Sequence, residues 1–67
     1  MKIEAIEKAL KNLAMKSDFY KRIYEGLCMY KDCDTYSYNY FVNDLEAQNF
    51  MNVSELKQYL EAIYLDP

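Results

Sequence analysis

The sequence predicts an all-α protein, a compact bundle of about four short helices forming a single domain over residues 1–67. Three observations predict it. Gly26 and Pro67 are the lone glycine and proline, so the breakers that punctuate a multi-strand fold are missing. Apolar residues recur three and four apart along most of the chain. Residues suited to helix capping stand before the second, third and fourth of these stripes.

In the first element, Ile3, Ile6, Leu10 and Leu13 fall at helical spacing with Ala9 and Ala14 beside them. Glu4/Lys8 and Glu7/Lys11 are i,i+4 pairs in the favourable Glu-before-Lys order, giving a helix over about 2–15. Ser17 with Asp18 then makes an N-cap followed by an acid in the first turn. Phe19, Tyr20, Ile23, Tyr24, Leu27 and Tyr30 track one broad stripe, which sets a second helix at about 18–30. Gly26 inside it costs roughly 1 kcal/mol relative to alanine and marks either a close crossing or an early end.

The third element carries two periods at once. Tyr36, Tyr38, Tyr40 and Val42 alternate with Thr35, Ser37, Asn39 and Phe41 as a strand would, while Tyr38, Phe41, Val42 and Leu45 sit at i, i+3, i+4 and i+7. An isolated strand has nothing to pair with, so a helix over about 35–48, capped by Asp34 or Thr35, is the expectation. In the fourth, Asn52 and Glu55 form a capping-box pair, Met51 and Leu56 are placed as a hydrophobic staple, and Val53, Leu56, Leu60 and Ile63 continue a stripe over about 53–64.

Composition narrows function mostly by exclusion. A chain of 67 residues buries only about 60% of its unfolded surface, so one small core is all it can build. Histidine is absent, which removes the commonest general base and metal ligand, and one glycine cannot make a phosphate-cradling loop. The expectation is a non-enzyme without cofactor or metal. Cys28 and Cys33 fall short of the four ligands a structural zinc wants and are expected to be free thiols. Asp32, Asp34, Tyr36 and Asn43 mimic calcium-loop spacing, but Ser37 replaces the required glycine and Asn43 the bidentate glutamate. No apolar run approaches the roughly 20 residues of a membrane span, and MKIEAIEKALKNLAMK lacks the apolar block of a signal peptide, so a cytoplasmic location is expected. Abundant Lys, Asn, Tyr, Ile, Phe and Met suit AT-rich codons, as in an AT-rich bacterium or a phage or plasmid living in one.

Charge is unevenly placed within the net of −3. Residues 1–31 hold seven Lys/Arg against four acids, whereas residues 32–67 hold Lys57 against Asp32, Asp34, Asp44, Glu46, Glu55, Glu61 and Asp66. At the junction lies Cys28 to Phe41, with four of the eight tyrosines. Tyrosine joins a flat apolar body to a polar tip, which suits contact surfaces. On one helix Tyr36, Tyr38 and Tyr40 are about 200° apart at each step of two, so at least one is exposed. Tyr20, Tyr24, Tyr59 and Tyr64 are expected at the core edge with hydroxyls reaching water.

These features read as a small protein-binding protein. Tyr36, Tyr38, Tyr40, Asp32, Asp34 and Asp44 are the expected partner-binding residues, forming an acidic tyrosine-rich surface that binds and blocks a larger basic, nucleic-acid-handling protein. Two alternatives stand beside it. One is a homodimer that buries the same aromatic surface; the other is a nucleic-acid-binding regulator using Lys8, Lys11, Lys16, Lys21 and Arg22 on the first hairpin. Residues 35–64 resemble a helix-turn-helix only in outline, since the last helix offers Lys57 and Gln58 among acids.

Overall fold

Apolar spacing and capping together place four helices where the sequence puts them. A computed structural model describes residues 1–65; Asp66 of the expected acidic surface lies outside the described residues. The helices are α1 (Ile3–Ala14), α2 (Asp18–Cys33), α3 (Thr35–Ala47) and α4 (Val53–Tyr64), with no strand among the described residues. The ambiguous third segment is helical. Its Asp34 side chain accepts from the Ser37 backbone N–H at 3.1 Å and the Ser37 hydroxyl at 2.7 Å, which starts the helix by satisfying a donor that the first turn leaves unpaired. Those bonds to Ser37 hold the Asp34 carboxyl below its ordinary range.

Each remaining helix start has its own solution. Ser17 accepts from the Tyr20 N–H at a long 3.5 Å. Asn52 accepts from the Glu55 N–H at 3.0 Å while Glu55 reaches back to the Met51 N–H at 2.9 Å, so the box forms one residue wider than expected. The staple does not form, because Met51 is 81% exposed. Lys2 gives α1 no side-chain cap; instead Glu46, from α3, accepts from the Ile3 N–H at 2.8 Å and sets a carboxylate at the positive end of the α1 dipole. Asn49 ends α3 with a φ of 54°, the left-handed region that asparagine tolerates, and its N–H donates to Glu46 O at 3.2 Å.

α2 extends three residues beyond the expected end, to Cys33. A continuous helix separates Cys28 and Cys33 by about 7.5 Å along its axis, beyond the reach of a disulfide, and both thiols are free. The link to α3 is therefore the single residue Asp34.

Ile6, Leu10, Leu45, Leu56 and Leu60 are fully buried and form the centre of the core, with Ala9, Tyr20, Leu27 and Phe50 around them. α1 is the hub, packing against each of the other three helices. Phe50, between α3 and α4, fills a position expected only as turn; its ring lies 5.4 Å from that of Tyr59, and its carbonyl accepts from the Met1 nitrogen at 2.8 Å. Val53 and Ile63, expected on the buried stripe of α4, are exposed; Leu56 and Leu60 are the buried residues of that helix, with Tyr59 packed against the same core.

The helix seams are tied by tyrosine hydroxyls donating to carboxylates. Tyr20 of α2 donates to Glu61 of α4, Tyr38 of α3 to Glu7 of α1 at 2.7 Å, and Tyr59 of α4 to Asp44 of α3 at 2.7 Å. Thus Tyr20 and Tyr59 do not send their hydroxyls to water as expected. Glu7 also meets Lys31 of α2 at 3.8 Å. Tyr38 is pushed up to about 12, chiefly by its bond to Glu7, and Tyr59 to about 12, chiefly by its bond to Asp44. Tyr20 rises further, through burial first and Glu61 second.

Because the folded chain holds these protons more tightly than the unfolded chain, where tyrosine titrates at 10.0, their contribution is complete below that pH and is lost as pH rises toward about 12. Denaturant unfolding should therefore show stability falling across that interval, with a shallower fall in Tyr38→Phe and Tyr59→Phe. At neutral pH each should cost about 1 kcal/mol, and the buried Tyr20→Phe about 2 kcal/mol. An equally steep alkaline fall in the Tyr38→Phe/Tyr59→Phe double variant would show that these bonds do not carry it.

Candidate functional site

α2 is broader in its apolar stripe than one neighbour can cover. Its Tyr20 and Leu27 are buried, while Phe19, Ile23 and Gly26 are only half-buried and Tyr30 is exposed. That leftover face of α2 and the Tyr36, Ser37, Tyr40 and Phe41 side of α3 enclose an open groove of about 710 Å³, with Tyr64 at the end of α4 lining it as well. Aromatic rings and aliphatic chains make most of its wall. Arg22 is its charged lining residue, exposed and in no ion pair among the described residues.

Gly26 gives the groove its floor. A Cβ built there would meet no atom within 4 Å, so the missing side chain leaves open space and not a tight helix crossing. Glycine at a mid-helix position with ordinary φ serves no local backbone need. Its effect is to lower the floor between Arg22 and Tyr30, one turn away on either side.

The six expected binding residues separate into distinct places. Tyr36 and Tyr40, four apart on α3, both line the groove and are 82% and 72% exposed. Tyr38 points to the other side of the helix and is engaged with Glu7, under the Lys31 ammonium 6.0 Å from its ring centre. Asp44 accepts from Tyr59. Asp34 caps α3 and bonds to the groove-lining Ser37, so it stands at the α2–α3 end of the groove. Asp32 is exposed near the C-terminal end of α2.

Phe19, Ile23 and Phe41, expected on the buried stripes, do pack against the core and leave part of each side chain to the groove, whereas Tyr30 is exposed and Arg22 joins the same wall unexpectedly. The available signal was the width of the α2 stripe combined with a glycine in its middle. The five basic candidates Lys8, Lys11, Lys16, Lys21 and Arg22 are all exposed, and of these Arg22 alone lines the groove. The described residues hold no group of three or more His, Cys, Asp or Glu placed to bind a metal, and no helix among them is long and apolar enough to cross a membrane. Cys28 is half-buried and Cys33 is exposed.

No protein-family model, curated protein or solved structure matches this chain.

A glycine kept in a helix without a steric reason costs stability, so Gly26→Ala should raise it by about 1 kcal/mol, or roughly 4–8 °C in Tm. Thermal unfolding followed by circular dichroism checks this. A loss of stability would mean that a Cβ collides at the groove floor and that the space there is not open.

Proposed function

We propose that this chain is a non-enzymatic binding protein that holds a segment of another protein in the groove between α2 and α3, with Tyr36 and Tyr40 as the anchoring side chains. The observation that carries this reading is their exposure: two tyrosines at helical spacing stand almost free of the fold, over a wall that is otherwise aromatic and aliphatic. Every tyrosine that serves the seams is buried or half-buried with its hydroxyl on a carboxylate, whereas these two make no such bond among the described residues. Large amphipathic rings left in solvent beside an apolar concavity are what a contact surface requires and what a monomeric fold does not.

Charge supports the nature of the encounter. The net charge of −3, with Asp32 and Asp34 exposed at the junction next to Tyr36, favours approach by a basic protein, and a nucleic-acid-handling protein held there would be blocked by steric cover. Self-association through the same rings is the competing reading, favoured by the small core. Sedimentation at low and high salt separates the two, since a dimer that persists at micromolar dilution would occupy the groove.

Tyr36→Ala and Tyr40→Ala should each weaken binding by about 2 kcal/mol, with thermal unfolding unchanged. The partner is first captured from cells that express the chain, using the wild-type protein as bait, and affinities are then measured with purified components. Equal affinity for wild type and both variants would remove the groove as the binding face.

A further inference from the structure

The covalent link between the α1–α2 and α3–α4 halves of the molecule is one residue long. Helical hydrogen bonding runs into Asp34 from both sides: its N–H donates to Tyr30 O at 2.8 Å, and its carbonyl accepts from the Tyr38 N–H at 3.0 Å. A φ of −145° and a ψ of 80° at this residue make the corner. Turning Asp34 alone to helical values, with ψ about −42°, would bring the N–H groups of Thr35, Tyr36 and Ser37 to the carbonyls of Lys31, Asp32 and Cys33 and run α2 into α3 without a break. Neither glycine nor proline fixes the corner. What holds it is the Asp34 carboxylate, which takes the Ser37 N–H and hydroxyl.

The halves on either side of the corner complete each other. Met1 to Phe50, Ile3 to Glu46, Tyr20 to Glu61 and Tyr38 to Glu7 are all bonds from one half to the other. The core is shared in the same way, with Ile6, Leu10 and Leu27 from the first half and Leu45, Leu56 and Leu60 from the second. Residues 1–33 carry seven Lys/Arg against five acids, and residues 35–67 carry Lys57 against five acids, so unlike halves attract and like halves do not. A second copy of the chain presents the same two surfaces.

A straightened chain cannot close on itself. One helix over residues 18–47 is about 45 Å long, against 27 Å for the longest dimension of the folded chain, so α3 and α4 are carried off their own α1–α2 pair. Both halves then expose the core surfaces that only the complementary half of another copy covers.

We propose that Asp34 is a hinge through which two copies of this chain exchange their α3–α4 halves, forming a dimer in which α2 and α3 of each copy are one helix. Every bond between halves is then remade between copies with the same partners, and each chain adds the three helical bonds that the corner omits. The closed monomer prevails in dilute solution because its halves are already tethered, and concentration shifts the balance toward exchange. Exchange opens the core, so the dimer forms on refolding and does not dissociate on simple dilution. It is independent of the groove as a binding face, although Tyr36 and Ser37 belong to both, so exchange remakes the α2–α3 end of the groove.

Refolding tests it. The wild-type chain is unfolded in denaturant, refolded at millimolar and at micromolar concentration, and sized by sedimentation after dilution. The expected result is a dimer from the concentrated refolding that survives dilution, and a monomer from the dilute one. Asp34→Ala removes the cap in both copies and should raise the association constant of the dimer on the order of tenfold or more. Thr35→Pro should abolish the dimer. The Thr35 N–H has no partner among the described residues, so proline costs the closed chain no bond and suits the first helical position, whereas inside a continuous helix it removes a bond and clashes. In dimers refolded from a mixture of isotope-labelled and unlabelled wild-type chains, isotope-filtered NMR should place core methyls of Leu45 or Leu60 of one copy against those of Ile6 or Leu10 of the other. Monomer alone from every refolding of wild type and Asp34→Ala would overturn the proposal, as would dimers without core contacts between copies. A dimer that persists in Thr35→Pro and dissociates in Tyr36→Ala is pairing through the groove rings, and it would overturn the hinge as well.

Discussion

Three hydrogen bonds from tyrosine hydroxyls to carboxylates set the terms of this fold. A chain of this length has too little apolar volume to seal four helices against one another, and the side chains at the seams must be partly wet. Tyrosine covers such a boundary with its ring, but its hydroxyl must then find a partner. Glu61, Glu7 and Asp44 provide one each, across three different helix pairs. A charged acceptor makes each bond stronger than a neutral pair would, so a polar seam stabilises where leucine would leave a void or an exposed edge. The acids used in this way are drawn from both the basic and the acidic halves of the sequence. Net charge by half is therefore a poor guide to which carboxylates face solvent.

The same economy governs the ends of the helices. α1 begins without a cap of its own, yet it is the helix against which all the others pack. Glu46 resolves this from a distance of 43 residues in sequence, and Asn49, one turn on, closes α3 at the place where Phe50 enters the core. Capping of α1, termination of α3 and burial of Phe50 thus meet at one junction. α3 is positioned by its contact with the start of α1, and the groove wall that α3 carries is positioned with it.

Local rules made most of the helices legible, and long-range geometry explains what they missed. Ser17, Asp34 and Asn52 cap the helices that they precede because capping involves only three or four neighbouring residues. The seam bonds join residues 15 to 41 apart, and no spacing rule connects Tyr20 to Glu61. Phe50 was hidden by its turn-like neighbours Asn49 and Asn52. The staple of Met51 onto Leu56 failed because Leu56 is claimed by the core while Met51 points to solvent. Of the groove, the sequence shows that tyrosines must be exposed near residues 36–40 but not that α2 supplies the opposing wall. Phe19, Ile23 and Tyr30 look like core on a helical wheel, and only the placement of α3 decides how much of that stripe stays uncovered.

The choice between strand and helix for residues 35–42 decides which tyrosines can act together. As a strand, Tyr36, Tyr38 and Tyr40 would share one face and form a single aromatic row. As a helix, Tyr36 and Tyr40 stay together at i,i+4 while Tyr38 turns away by about 200°. The structure uses this separation: Tyr38 ties α3 to α1 through Glu7, and that bond fixes the rotation of α3 about its axis, which points Tyr36 and Tyr40 over the groove. The tyrosine given to the fold thereby aims the two left to solvent. A three-residue alternation that looked like one surface is a structural residue between two exposed ones, and the exposed pair owes its orientation to the residue tied to α1.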